Sequence, residues 1–265
     1  MILVIDIGNT NISFGCHDGA RNSFTARMAT DRNKTEDQYG AQMLEILSLY
    51  RANVNDITDA AISSVVPELT EIIALAAEMI TKKKPLVVGP GVKCGLNIKI
   101  DNPAQLGSDL VCTAVGAAEK YELPCLVLDL GTATKISVLD EDGAFLGCTI
   151  SPGVMLSLNA LSSGASLLPS LYLDKPTTSI GTNTVRSMQA GVVLGTAAML
   201  DGMCGKIEKE LGKPVRTVAA TGGIAGRIVP FCERAIVHDP DLIFDGIMSI
   251  YNKNRTGRRD KHEHK

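Results

Sequence analysis

Two stretches decide how this chain is read: Asp6-Ile7-Gly8-Asn9-Thr10-Asn11 and Asp129-Leu130-Gly131-Thr132-Ala133-Thr134. Each follows an apolar run, Ile2-Leu3-Val4-Ile5 in the first case and Cys125-Leu126-Val127-Leu128 in the second. Each leads into alternating residues, Ile12-Ser13-Phe14-Gly15-Cys16 and Ile136-Ser137-Val138-Leu139. Short apolar runs on either side of a Gly/Asn/Thr turn predict a β-hairpin. The two copies lie 129 − 6 = 123 residues apart in a chain of 265. A repeat on that scale implies duplicated domains, predicted at 1–115 and 116–253 with a helix near Asp109–Tyr121 as the connector.

Working outward, strands alternate with helices in both halves, which predicts an α/β protein. Thr35 precedes Glu36 and Asp37 and an apolar face of Met43, Leu44, Ile46 and Leu47, so 35–50 reads as a capped helix. Ala60 to Val66 reads as a strand stopped by Pro67, 69–80 as a helix, and 85–88 as a further strand. Val215 to Ala220 reads as a strand running into Thr221-Gly222-Gly223. Residues 254–265 are basic and polar without periodicity and are predicted to be a disordered tail.

Composition narrows the classes. With 45% hydrophobic and 21% charged residues, collagen-like, disordered and disulfide-scaffold chains are excluded. The net charge of −3 and the absence of Trp imply no nucleic-acid partner. The seven cysteines are scattered, without zinc-ligand spacing, and read as buried thiols in a reducing compartment. Asp6 breaks the first apolar run, so no signal peptide is predicted, and no run of about 18 apolar residues suggests a membrane span. A cytoplasmic location is expected.

The repeated turn suits a polyphosphate. Glycine lets the backbone approach closely, successive N–H groups bind phosphate oxygens, and Asn9, Thr10, Thr132 and Thr134 add neutral donors. The aspartate cannot meet phosphate directly and would hold a cation or water between. One D-x-G alone can be an ordinary Asx turn; two copies at equivalent places argue for a shared site. The small residues of Thr221-Gly222-Gly223 leave room for a flat ring against the backbone, although a plain strand-to-helix turn would look the same. No Walker A lysine pattern and no G-x-G-x-x-G is present.

Asp-hairpin, second Asp-hairpin and late Thr-Gly-Gly, in that order, resemble the acetate kinase, sugar kinase, Hsp70 and actin superfamily. More narrowly, Met1 to about Lys253 resembles type III pantothenate kinase. The matching pieces are Asp6 to Asn11, Ile62 to Pro67, Gly89 to Gly91, Asp101 to Pro103 and Gly107 to Asp109. They continue with Asp129 to Thr134, Ile150 to Gly153, Gly181 to Thr184, Met188 to Gly191 and Ala220 to Gly223. The resemblance implies two duplicated actin-like (ribonuclease H-like) domains with a nucleotide cleft between them. It implies transfer of the ATP γ-phosphoryl group to the primary hydroxyl of pantothenate, the first step towards coenzyme A. Asp6, Ile7, Gly8, Asn9, Thr10, Asn11, Ile12 and Ser13 would bind ATP, with Thr132 helping. Asp129 would hold a monovalent cation, potassium or ammonium, and magnesium would accompany ATP. Asp109 would be the base, and Ile100, Gly107, Ser108, Leu110 and Thr184 would line the acceptor site with it. The family pocket lies at a subunit interface, so a homodimer, or a heterodimer with a paralogous subunit, is implied.

The departures cluster at the acceptor end. Leu110 stands where the family motif has an arginine that grips the pantothenate carboxylate. Ile100 replaces a tyrosine, Lys135 a threonine, and Cys148 stands in an altered glycine motif. A charge-assisted hydrogen bond contributes roughly 1.5–3 kcal/mol, so losing the arginine predicts at least about tenfold weaker pantothenate binding. Lys135 is one candidate to supply the missing charge; an exposed strand lysine is the plainer reading. Three outcomes stay open: a working kinase with a rearranged pocket, one subunit of a heteromeric enzyme, or a kinase or nucleotide-binding regulator with another acceptor.

Overall fold

A computed structural model describes residues 1–176 and 178–259, with side chains described as far as residue 255. The chain divides into two compact units. The first comprises Met1–Leu96, Asp101–Glu119 and the chain from Asp241 onward; the second comprises Asn97–Ile100 and Lys120–Pro240.

In the first unit, β1 (Ile2–Ile7), β2 (Asn11–His17), β3 (Ala26–Ala29), β4 (Asp59–Ser64) and β5 (Leu86–Val87) form one sheet in the order β3-β2-β1-β4-β5. β1 is antiparallel to β2 and parallel to β4. In the second unit, β6 (Cys125–Leu130), β7 (Ala133–Leu139), β8 (Phe145–Pro152), β9 (Thr217–Thr221) and β10 (Val237–His238) form the other sheet. Its order, read from β8, is β8-β7-β6-β9-β10, with β6 antiparallel to β7 and parallel to β9. Both sheets therefore place a hairpin first and parallel strands second around one central strand. The duplication expected from the 123-residue repeat is a duplication of topology, and both predicted hairpins are present.

Strand alternation sets what each face does. Leu3, Ile5 and Ile7 lie in a core with Tyr39, Met43 and Leu47 of α1 (Glu36–Leu49) and with Leu69, Ile73 and Ala76 of α2 (Pro67–Thr81). Leu126, Leu128 and Leu130 occupy the equivalent positions in the second core. There they pack with Val154 and Leu158 of α4 (Val154–Gly164) and with Ala225 and Ile228 of α6 (Ala225–Ile228). The same core takes Met188, Val192, Ala197, Leu200 and Cys204 of α5 (Thr184–Leu211). The period of two then puts Asp6 and Asp129 on the opposite face of their strands. α1 starts as predicted: the Thr35 hydroxyl accepts from Gln38 N at 3.4 Å, and Gln38 Oε1 accepts from Thr35 N at 3.0 Å, a capping box.

Three features differ from the sequence reading. α5 is long and apolar enough by length and composition to cross a membrane, yet the residues just named pack it into the second core. The compact units do not divide at 115/116, because α7 (Leu242–Arg259) returns to the first sheet. It buries Leu242, Phe244, Ile247, Met248, Ile250 and Tyr251, and the Tyr251 hydroxyl donates to Asp59 Oδ2 at 2.8 Å. The predicted tail from 254 is helical as far as Arg259, and Asn254 Nδ2 donates to Lys93 O at 2.9 Å. The rest of that tail, 260–265, lies outside the described residues.

α7 meets α3 (Ser108–Lys120) at backbone distance. A Cβ placed on Gly246 would lie 1.8 Å from Cys112 O, and one on Gly116 would lie 2.6 Å from Leu242 O. Overpacking of this kind costs about 1–3 kcal/mol. Gly246→Ala is expected to lower the melting temperature by about 3–10 °C. Gly205→Ala in α5, with open space around it, is the control and is expected to leave melting unchanged or slightly raised.

Candidate functional site

In the first unit the strand ends bring three chain segments together. Register sets Asp6 beside Ser13 on β2 and beside Ser63 on β4. Ser63 is fully buried, and its hydroxyl meets that of Ser108, at the start of α3, at 3.1 Å. Ser108 Oγ also accepts from Ser64 N at 2.9 Å and donates to Ser64 O at 2.8 Å. One serine thus latches the first turn of α3 to the end of β4. The next residue is Asp109, whose Oδ1 accepts from Leu110 N at 2.8 Å. Its carboxylate sits at the positive end of the helix, where a negative charge is stabilised. Asp6 and Asp109 share one environment: the buried Cys112 thiol is pushed well above its ordinary pKa by burial, then by the charges of both aspartates.

The turn after Asp6 is tight. Gly8 N donates to Asn11 O at 3.0 Å, and a Cβ on Gly8 would stand 3.0 Å from that same oxygen. Thr30, following β3, braces it from the side: its hydroxyl donates to Gly8 O at 2.6 Å, and its N–H donates to Thr10 O at 3.1 Å. Asn9, Thr10 and Asn11 are exposed, while Ile7 and Ile12 are fully buried in the core. Of the predicted ATP-binding residues, these two isoleucines have only backbone groups to offer.

The second hairpin repeats this scheme with one residue fewer in its turn. Ile7 pairs with Ile12, but Leu130 pairs with Thr134. Gly131 N donates to Ala133 O at 3.1 Å, and Thr132 is exposed at the tip. Gly153 N, ahead of α4, donates to Thr132 O at 3.1 Å. Gly222, with φ +94°, brings the Thr-Gly-Gly turn against the end of β6: a Cβ there would lie 2.6 Å from Leu130 O. The shortened turn changes the partner of the acid. Asp129 faces Thr221 on β9 and Lys135 on β7, and Lys135 Nζ lies 2.9 Å from Asp129 Oδ2. Both side chains are mostly buried, at 15% and 18% exposed, so Lys135 is not an exposed strand lysine.

The remaining predicted residues scatter. Gly107, Ser108, Asp109 and Leu110 stand at the start of α3 in the first unit, with Leu110 buried at 7% exposure. Ile100 is half-buried in the second unit, in a segment whose neighbour Lys99 donates from its N–H to Phe145 O at 2.8 Å. Thr184 is exposed at the start of α5, where Asn183 Oδ1 caps the helix by accepting from Arg186 N at 3.0 Å. A cavity of about 570 Å³ opens elsewhere on the second unit, among Ser151, Ser157, Met188, Val192, Thr196 and Met199. It contains none of the predicted site residues. Among the described residues no group of three His, Cys, Asp or Glu side chains is placed to hold a metal.

The family model for type III pantothenate kinase matches residues 2–206. The chain belongs to the type III pantothenate kinase family. The type III pantothenate kinase of Exiguobacterium sibiricum is 40% identical over 255 residues, covering 96% of this chain and 100% of that one. That of Bacillus cytotoxicus is 38% identical over 263 residues, covering 99% and 100%. Among solved structures, a Baf family protein from Campylobacter jejuni superposes with a TM-score of 0.61 at 18% identity, covering 96% and 99% of the two chains. The activator of 2-hydroxyisocaproyl-CoA dehydratase from Clostridium difficile does so with a TM-score of 0.53 at 14% identity, covering 98% and 97%. These likenesses show the fold, an α/β architecture built on two five-stranded sheets.

The sequence of this type III pantothenate kinase family member singles out Asp6, Asp109 and Asp129 as candidates, but shows neither the Ser108 latch nor the Lys135–Asp129 pair. Removing the latch tests its role. Ser108→Ala is expected to cost about 1–3 kcal/mol, because the Ser64 N–H and C=O lose their partner. That corresponds to melting about 2–10 °C lower, accompanied by a fall in turnover. Unchanged melting and turnover would show that the latch positions nothing.

Proposed function

We propose that this chain phosphorylates the primary hydroxyl of pantothenate from Mg·ATP, in the cytoplasm. Family membership supports the reaction, and one observation carries the chemistry: a single strand-end environment unites a glycine turn with two carboxylates, Asp6 and Asp109. The donor set fits a magnesium nucleotide. Magnesium keeps several waters and is bound by one or two carboxylates together with substrate phosphates, and Asp6 beside the Gly8–Asn11 turn offers such a set. When bound, Mg·ATP supplies the γ-phosphoryl group and neutralises charge on its oxygens.

The chain's own groups do the rest. Backbone N–H groups and the Asn9, Thr10, Asn11 and Ser13 side chains orient the phosphates. Asp109, fixed through Ser108, accepts the proton of the pantothenate hydroxyl as its oxygen bonds to the γ-phosphorus. The bond from that phosphorus to the β,γ-bridging oxygen breaks, and ADP leaves with the electron pair. A carboxylate is an adequate acceptor because the hydroxyl proton becomes acidic late in a loose transition state.

Acceptor recognition differs from the usual family pattern. Leu110 is buried and has no donor, so the substrate carboxylate is gripped by another group. A second reading follows from that observation: a paralogous subunit supplies the missing contact, and the chain is inactive alone. Either reading includes a dimer, homomeric or mixed, because the resemblance puts the acceptor pocket at a subunit interface.

The test is ATP-dependent phosphorylation of pantothenate by the purified chain in magnesium and potassium chloride. Turnover is expected, falling about 10²–10⁴-fold in Asp109→Asn as general-base catalysis is lost. ATP binding without turnover, restored by a paralogous subunit, would establish the second reading. Turnover unaffected by Asp109→Asn would remove Asp109 from the mechanism.

A further inference from the structure

The monovalent cation expected at Asp129 does not fit this chain, because its place against the carboxylate is taken by a side chain. Asp129 and Lys135 are directly opposed across β6 and β7, so their side chains leave the same face of the hairpin at cross-strand contact distance. The carboxylate points two ways. Its Oδ2 meets Lys135 Nζ at 2.9 Å, and its Oδ1 lies 3.6 Å from where a Cβ on Gly131 would stand. The ammonium is therefore held at the end of the strand, beside the turn that carries Thr132.

We propose that the Lys135 ammonium is the resident cation of the second hairpin, so that this chain binds and uses its nucleotide without an added monovalent cation. The proposal rests on the kinase reading above. A lysine ammonium is a compact point charge with three N–H donors, chemically an alkylated ammonium ion. It balances Asp129 as potassium or ammonium would and presents the same charge to nucleotide oxygens near the turn. Being tethered, it acts at a high effective concentration that a dissolved cation must overcome. Displacing it would also strand an ammonium among mostly buried groups, which is strongly unfavourable. The first hairpin provides an internal contrast: the position facing Asp6 is Ser13, a neutral hydroxyl. A threonine at 135 would put a neutral hydroxyl opposite Asp129 and remove the ammonium beside its carboxylate.

The experiment compares the wild-type chain and Lys135→Thr in tetramethylammonium, potassium and ammonium chloride at one ionic strength. Mg·ATP affinity is read by calorimetry and pantothenate turnover by coupled assay. Wild-type affinity and turnover are expected to agree within about twofold in all three salts. Lys135→Thr is expected to lose about tenfold or more in tetramethylammonium, the scale of one charge-assisted contact, and to recover in potassium or ammonium. A wild-type response of about tenfold or more to potassium would overturn the proposal, as would a folded Lys135→Thr chain that ignores the salt. If the variant fails to fold, the wild-type salt response decides alone. Absence of turnover in every salt would count against the kinase reading, while the ATP-affinity arm would still decide the role of Lys135.

Discussion

A carboxylate at the end of a sheet's central strand has to be matched by what the two neighbouring strands place beside it. That constraint organises both halves of this molecule. In the first sheet the strand neighbours of Asp6 are Ser13 and Ser63, both neutral hydroxyls. Ser63 then passes the contact on to Ser108, which anchors α3 and with it Asp109. In the second sheet the neighbours are Thr221 and Lys135, and the charge is answered within the chain. One topology has been used twice, with different side chains set beside the acid.

The backbone around these acids is held by close approaches that only glycine permits. Gly222 lets the Thr-Gly-Gly turn lie against the end of β6, and Gly246 lets α7 lie against α3. Position at the site therefore depends on packing remote from it. α7 begins some 130 residues after α3 begins, yet it packs directly against the helix whose first turn carries the candidate base.

Much of this was legible in the sequence. Two hairpins at a fixed offset gave the duplication, because the period of two and the turn chemistry act locally. Thr35 marked a helix start for the same reason. What was not legible depends on register. The second turn is one residue shorter than the first, and this brings Lys135, rather than Ile136 as the simple 123-residue offset implies, opposite the acid. A single lysine after Thr-Ala-Thr carries no sign of that in its spacing. Nothing local marks Ser108 as a latch, since its partners Ser63 and Ser64 are more than forty residues away. The length of α5 is hidden because Gly191, Gly195, Gly202 and Gly205 interrupt its helical pattern. The end of α7 reads as a tail because its basic residues conceal the helix begun by Leu242, Phe244 and Ile247.

The central claim is that a strand-end acid followed by a glycine turn forms the phosphate site. The most direct measurement is a crystal structure of the chain with magnesium and a non-hydrolysable ATP analogue. The account predicts triphosphate oxygens within about 3 Å of the backbone N–H groups of Asn9 to Asn11, with the metal reached by Asp6 through water. A triphosphate bound away from that turn, for instance in the cavity beside Met188 and Met199, would contradict it.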